Sequence, residues 1–225
     1  MPLIIGVTGA IATGKSTVCD LLQRLGAVHC DADKLVHRLY EPGMPGFGRV
    51  VSAFGHGIIG ADGLIDRRIL GSIVFGKPQE MTRLTTAIGS ITPAIEGVVR
   101  DWRSTLPEAT VAVLEAVNMI EPGYSALFDQ TWLVACETAL MRRRLAERNQ
   151  LDEAEVERRL GSQRPWQDRA PAADVIIHND GDLDPLGMLV ASELARAVAA
   201  HRSGKLPESR WFAWRREQEE LRVTG

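Results

Sequence analysis

The sequence predicts an α/β fold with a parallel five-stranded sheet flanked by helices and a helical insertion between two of the strands. Short apolar runs alternate with segments of helical spacing, and the strongest runs are apolar on both faces. A glycine-rich turn joins the first run to the first helix. At 225 residues, with 45% hydrophobic and 24% charged residues, the chain can bury a core of its own.

The N-terminal elements predict a βαβ unit. Residues 3–7 form a short apolar run, which indicates a buried strand. The apolar spacing of residues 18–25 predicts a helix, and Gly26 ends it. Residues 27–30 predict a second strand, which leads into the sequence Asp31-Ala32-Asp33.

The rest of the chain predicts helices and three more strands. Residues 34–107 are mainly helical in pattern and are interrupted by glycines and prolines. The further strands are predicted at residues 110–114, 131–136 and 174–178. Helices are predicted at residues 137–148, 152–161 and 185–200, with a polar loop at residues 164–171.

The tail after His201 carries Trp211 and Trp214 at helical spacing beside several arginines. Interleaved tryptophan and arginine are compatible with contact to nucleic acid or to a membrane. A short helix docked on the domain, or a frayed terminus, is the alternative that we favour.

Charge and composition exclude several classes of partner. The net charge of −3 gives no global attraction to nucleic acid or to an anionic membrane, so neither is an expected partner. The first apolar run is too short for a signal peptide or a membrane span, and a cytoplasmic location is expected. Cys19, Cys30 and Cys136 lack the spacing of zinc or redox sites, which predicts small buried side chains. A monomer or a weak homo-oligomer is expected.

The turn after the first strand matches the phosphate-loop pattern G-x-x-x-x-G-K-S. Its glycines permit a tight turn, and its backbone N–H groups and the helix N-terminus face an anion. We expect Lys15 to reach the β- and γ-phosphates of ATP and Ser16 to bind Mg²⁺. A chance match is the alternative, but the flanking strand and helix favour a nucleotide site. The predicted nucleotide-binding residues are Gly9, Ala10, Ile11, Ala12, Thr13, Gly14, Lys15, Ser16 and Thr17.

Two carboxylates, Asp31 and Asp33, follow the second strand at the edge where open α/β sheets bind their ligands. An enzyme that phosphorylates a hydroxyl needs a carboxylate to orient the nucleophile and accept its proton. The alternative is that one of them only caps a helix opening at Lys34, and Asp33 is able to do both.

The order and spacing of the motifs resembles the dephospho-CoA kinase family over roughly residues 3 to 195. The phosphate loop occurs in many families, but its combination with the later motifs is narrow. Those motifs are Leu25-Gly26-Ala27, Asp31-Ala32-Asp33, Pro42-Gly43, Phe54-Gly55, Asp62-Gly63 with residues 64–68, Leu70, Val74-Phe75, Gln163, and residues 173–177 followed by Asn179 and Gly181.

The resemblance implies transfer of the ATP γ-phosphate to the ribose 3′-hydroxyl of dephospho-CoA. It implies that Asp33 is the catalytic base, that Lys15 and Arg148 are catalytic and contact ATP, and that Thr8 and Asp31 help to bind the substrate. The implied organisation is a P-loop kinase domain followed by a tail. The ranges are 1–203 for the domain, 34–108 for an acceptor-binding insertion, 142–171 for a lid region and 204–225 for the tail.

The chain departs from the family pattern at several positions. Ala10 and Ala12 stand where glycine is common, Thr92-Pro93 replaces a His-Pro pair, and Arg169 stands where lysine is usual. The usual acidic residue with Pro-Leu-Leu after the third strand becomes Glu-Ala-Val-Asn-Met at residues 115–119. Glu115 still offers an acidic group for Mg²⁺.

Two alternatives remain open from the sequence. One is another P-loop kinase, acting on a nucleoside, a nucleotide or a sugar acid, because its fold would be the same. The other is a nucleotide-binding relative with impaired catalysis, which the altered segment after the third strand mildly favours.

Overall fold

The computed structural model describes residues 1–149 and 151–224, with side chains for residues 1–147 and 151–222. It confirms the α/β fold, because the described part contains a five-stranded parallel sheet flanked by helices. The strands follow the spatial order β2-β3-β1-β4-β5. They are β1 Leu3–Thr8, β2 Val28–Asp31, β3 Val111–Glu115, β4 Gln130–Ala135 and β5 Val175–His178.

The described residues form two compact units. The first unit contains Met1–Cys30 and the described residues from Val99 onward, and the second unit is Asp31–Val98. The first unit therefore holds most of the sheet. Its helices are α1 Lys15–Arg24, α7 Thr138–Asn149, α8 Glu153–Gly161, α9 Trp166–Arg169, α10 Leu183–Arg202 and α11 Arg210–Thr224.

The core of the first unit lies between the sheet and two helices. Leu3, Ile5 and Val7 of β1 pack with Val18 of α1 and Val190 of α10. These strand residues are almost completely buried because β1 has a strand on each side and is apolar on both faces.

The second unit is helical and has its own apolar core. Val50, Ile58, Leu70, Val74 and Ile88 are buried within it. Its helices are α2 Ala32–Arg38, α3 Pro45–Phe54, α4 Arg67–Val74, α5 Pro78–Ile88 and the start of α6 Thr92–Thr105. The predicted insertion at residues 34–108 overlaps this unit, and its role in binding an acceptor stays a prediction.

The prediction of a polar loop at residues 164–171 is wrong in part. Trp166–Arg169 form the short helix α9, and a 3₁₀ turn follows at Ala170–Ala172. The reason is that Arg169 and Ala172 point into the protein, where they are 5% and 0% exposed. A polar sequence in this place does not mean a solvated loop.

The tail folds as a helix that docks on the first unit. Trp211 and Trp214 of α11 are buried against Ile120 and Ala172. Of the docked helix and the frayed terminus that the sequence allows, the structure has the docked helix. Within the residues described, the helices are all too short or too polar to cross a membrane.

Candidate active site

The phosphate loop connects β1 to α1, as the sequence predicts. Gly14 immediately precedes α1 and has a φ of 87°, a left-handed conformation that suits glycine. At Gly9, an added Cβ would lie 2.6 Å from the carbonyl oxygen of Val134 and 2.8 Å from Thr13 Oγ1. Both glycines are therefore required by the shape of the turn.

Side chains from distant parts of the first unit hold the loop in this shape. Asn179 Nδ2 donates a hydrogen bond of 2.8 Å to the Thr13 carbonyl. The Ile11 amide donates one of 2.7 Å to Gln163 Oε1. Neither Asn179 nor Gln163 was among the predicted site residues, although both lie in motifs of the family resemblance. Support from two directions preorganises the loop before any ligand binds.

Lys15 lies at the start of α1 and is 9% exposed. Its Nζ donates a hydrogen bond of 3.2 Å to the carbonyl oxygen of Ala10, on the opposite side of the turn. The ammonium group thus stays inside the loop. A positive charge held there suits a phosphate group.

Glu115 ends β3 and lies beside the start of α1. Its Oε1 accepts a hydrogen bond of 3.0 Å from Ser16 Oγ, and its Oε2 lies 3.3 Å from His29 Nε2. Cys19, His29 and Glu115 each bring a ligating atom to this point, all within 4.8 Å of one another. His29 was not predicted, because a single histidine in a strand gives no local signal of a role.

The Glu115 carboxyl is buried yet stays acidic. Burial acts to raise its pKa, since it disfavours the charged form. Hydrogen bonding and charge from His29, Ser16 and Lys15 outweigh burial, so the pKa lies below its ordinary value. The carboxylate beside Ser16 is therefore ionised at neutral pH. Burial and the same carboxylate raise the pKa of the Cys19 thiol, which stays protonated.

Thr8 is the last residue of β1 and is 1% exposed. Its hydroxyl donates a hydrogen bond of 2.8 Å to the carbonyl oxygen of Val117. The Ala116 amide also donates to the Val7 carbonyl at 3.0 Å. The segment after Glu115 is thus fixed to the end of the central strand, at the carboxyl edge of the sheet.

A cavity of about 800 Å³ adjoins the phosphate loop within the first unit. Ile11, Ala12 and Thr17 line it from the loop side, with Arg144 and Asn179 on other sides. Ala12 has a φ of 62°, an uncommon value for a residue with a side chain. The cavity has a size typical of small-molecule sites.

The remaining predicted site residues, Asp31, Asp33 and Arg148, lie outside the phosphate loop and β3. Asp31 is the N-cap of α2, and its Oδ1 accepts a hydrogen bond of 2.9 Å from the Asp33 amide. The helix begins at Ala32 and not at Lys34, and the cap is Asp31. Asp33 lies in the first turn of α2, in the second unit. Arg148 belongs to α7, but its side chain lies outside the described residues.

A parallel sheet whose phosphate loop carries a buried lysine, with a serine bonded to a strand-end carboxylate, defines the class of P-loop kinases and related NTPases. The family model for dephospho-CoA kinase matches residues 3–185. The chain therefore belongs to the dephospho-CoA kinase family, which is a family of phosphotransferases. The family resemblance predicted from the motifs is confirmed.

Individual relatives agree with this assignment. The dephospho-CoA kinase of Geobacter sulfurreducens is 40% identical over 185 residues, covering 81% of this chain and 92% of the relative. That of Streptococcus pyogenes is 34% identical over 192 residues, covering 85% and 96%.

Two solved structures share the fold. TT1252 from Thermus thermophilus has a TM-score of 0.66 and 30% identity, covering 87% of this chain and 97% of that one. Dephospho-CoA kinase from Campylobacter jejuni has a TM-score of 0.59 and 24% identity over 86% and 96% of the two chains, and supports the fold alone.

Proposed function

We propose that this protein uses ATP to phosphorylate the ribose 3′-hydroxyl of dephospho-CoA, which gives coenzyme A and ADP. The observation that carries the proposal is the family match over residues 3–185, which spans the phosphate loop and the carboxylate of Glu115. The reaction needs positioning and charge stabilisation more than covalent chemistry, and the loop supplies both.

In this proposal the phosphate loop binds the ATP phosphates. Its backbone N–H groups and the N-terminus of α1 bind the phosphate oxygens. Lys15 Nζ leaves the Ala10 carbonyl and binds the β- and γ-phosphates instead. The adjoining cavity, lined by Arg144 and Asn179, is large enough for the nucleoside part of ATP. Arg148 remains the predicted lid arginine, on the basis of its place in the family pattern.

The residues where the start of α1 meets the end of β3 fit Mg²⁺. Ser16 offers a hydroxyl and Glu115 an ionised carboxylate, and hard oxygen donors of this kind are the ligands that Mg²⁺ prefers. When bound, the ion neutralises charge that develops on the phosphoryl oxygens. Ser16 would hold it directly, and Glu115 would orient Ser16 and add the negative charge.

For the acceptor, we propose Asp33 as the general base, with Thr8 and Asp31 as substrate-binding residues. The cap position of Asp31 supports this division of roles, because its Oδ1 is already used by the Asp33 amide. Asp33 occupies the first turn of the same helix, where its own carboxylate is not required for capping.

An ADP-release assay with a panel of acceptors tests the proposal. We expect turnover with dephospho-CoA, and little with adenosine, AMP, pantetheine or gluconate. Turnover with adenosine or gluconate but not with dephospho-CoA would replace the proposed acceptor and keep the kinase class. Nucleotide binding without turnover of any acceptor would instead indicate an impaired relative.

A further inference from the structure

The C-terminal helix α11 Arg210–Thr224 lies wholly beyond the part of the chain that matches the family model, which ends at residue 185. It nevertheless packs on the first unit as part of its core. Trp211 and Trp214 are 7% and 9% exposed and contact Ile120 and Ala172, which are 0% exposed. These buried contacts fix α11 to Ile120 and Ala172.

Directional contacts fix the start of α11. Asp174 Oδ2 accepts hydrogen bonds from Ser209 Oγ at 2.8 Å and from the Thr131 amide at 2.6 Å. Its Oδ1 accepts one of 2.7 Å from the Arg210 amide. Asp174 thus joins the first turn of α11 to the first residues of β4, and the helix has one defined position.

From this position, Trp211 holds the segment that follows β3. Its indole Nε1 donates a hydrogen bond of 2.9 Å to the carbonyl oxygen of Ile120. Ile120 belongs to residues 116–121, which we call the post-β3 segment. The Gly123 amide donates to the same carbonyl at 3.2 Å, so Trp211 adds a second and shorter hydrogen bond, which ties this backbone group to α11.

Arg169 holds two side chains of the same segment. Its Nε donates a hydrogen bond of 2.8 Å to Glu121 Oε1, and its Nη2 donates one of 3.1 Å to Asn118 Oδ1. The guanidinium is 5% exposed, and a planar group with two bonded partners holds both in register. The turn that follows Arg169 ends at Ala172, which α11 also covers.

The other end of the post-β3 segment belongs to the active site. It begins directly after Glu115, and its Val117 carbonyl accepts the hydrogen bond from Thr8. A shift of Ile120 is therefore transmitted within a few residues to Thr8, whereas Glu115 is held separately by its pairing with β1 and by Ser16.

We propose that α11 and Arg169 form a latch that positions the post-β3 segment and thereby sets the affinity for the phosphoryl acceptor. Trp211 and Arg169 are positioning residues that act through Ile120, Asn118 and Glu121. The proposal rests on the proposed function, which gives Thr8 a place in the acceptor site. The phosphate loop is held by Asn179 and Gln163, so the latch leaves ATP binding unaffected.

The variant Trp211→Phe tests the latch, because it keeps an aromatic ring and removes the donor to Ile120. Trp214→Phe is the matched control, since it lies on the same helix with similar burial but does not bond the Ile120 carbonyl. We expect Trp211→Phe to raise the KM for dephospho-CoA by about three- to tenfold, with the KM for ATP unchanged. The control should leave both KM values near those of the parent.

Variants of Arg169 give a second test, in which a conservative substitution should restore part of the lost affinity. We expect Arg169→Met to raise the KM for dephospho-CoA by about tenfold, and Arg169→Lys to restore part of the loss because it keeps one charged donor. Since Arg169→Met leaves Glu121 without its partner, the double variant with Glu121→Leu keeps the measurement interpretable if the single variant fails to fold.

Hydrogen–deuterium exchange separates failure of the latch from failure of the proposed function. Trp211→Phe should speed exchange at residues 116–123 and leave residues 9–17 unchanged, whichever acceptor the enzyme uses. A lower melting temperature with both KM values and the exchange of residues 116–123 unchanged would overturn the latch. An equal rise in both KM values would overturn it as well. If the parent does not turn over dephospho-CoA but Trp211→Phe speeds exchange at residues 116–123 as expected, only the proposed function is overturned.

Discussion

The hydroxyl of Ser16 donates a hydrogen bond of 3.0 Å to Glu115 Oε1, which joins the phosphate loop to the end of β3. These residues are far apart in sequence and meet because β1 and β3 are parallel neighbours, with Val7 paired to Glu115. The bond places an ionised carboxylate behind the hydroxyl that is proposed to bind Mg²⁺. This relationship underlies the first prediction.

We predict that Glu115→Gln will raise the concentration of Mg²⁺ needed for half-maximal turnover by about tenfold or more, because the charge near the ion is lost. Glutamine keeps the size of the side chain and still accepts the Ser16 hydrogen bond. Titration of turnover with Mg²⁺ at saturating substrates measures the effect. An unchanged Mg²⁺ requirement would remove Glu115 from the metal site.

The buried carboxyl also predicts a pH dependence of stability. Because the folded pKa of Glu115 lies below its unfolded value of 4.5, the ionised group stabilises the fold above that pH. This contribution is lost as the pH falls through the folded pKa. We therefore expect the melting temperatures of the parent and Glu115→Gln to converge as the pH falls below 4.5, measured by circular dichroism. A constant difference at all pH values would contradict it.

Lys15→Met should lower kcat by about a hundredfold or more, because a charge preorganised inside the loop no longer stabilises the migrating phosphoryl group. Methionine fills most of the space of the buried side chain, so the melting temperature should change little. Lys77→Met, at an exposed position before α5, is the matched control and should keep the parent kcat. Normal turnover of Lys15→Met at saturating ATP would exclude Lys15 from the reaction.

We predict different phenotypes for variants of the two aspartates of the second unit. Asp33→Asn should lower kcat by about a hundredfold with little change in melting temperature, as expected for loss of a general base. Asp31→Ala should destabilise the fold by about 1 kcal/mol, because it removes the cap of α2, and should raise the KM for dephospho-CoA with a smaller loss of kcat than Asp33→Asn. Asp31→Asn keeps the cap and serves as its control. Near-normal kcat in Asp33→Asn would shift the role of base to another carboxylate.

The cysteines should differ in reactivity. Burial raises the pKa of the Cys136 thiol to about 11 and that of Cys19 still further, whereas Cys30 is only half-buried. We expect iodoacetamide at about pH 8 to alkylate Cys30 well before the other two, since the thiolate is the reactive form. Peptide mass spectrometry measures the order, and labelling of Cys19 as fast as Cys30 in the folded protein would contradict the structure.

Much of the fold could be predicted because the strands are apolar on both faces and bounded by turn residues. The predicted strands agree with the observed ones to within one or two residues, as at residues 3–7 against Leu3–Thr8. The phosphate loop was equally clear, since its pattern lies between a strand and a helix. In these regions local sequence and tertiary structure agree.

The rest depends on contacts between distant residues. Arg169 made residues 164–171 look like a solvated loop, but its partner Glu121 lies 48 residues earlier in the chain and allows the charge to be buried. His29 and Asn179 likewise have roles only through partners that the sequence does not place beside them. Charge burial of this kind has no local pattern.

The position of β1 in the sheet has a consequence for synthesis. Among the described strands, this first segment to leave the ribosome pairs with β3 and β4, which end at Glu115 and Ala135. The central strand therefore cannot form its hydrogen bonds to both neighbours until the chain has been made as far as Ala135. The nucleotide site forms only after that point, so ATP can stabilise the finished protein but cannot guide its early folding.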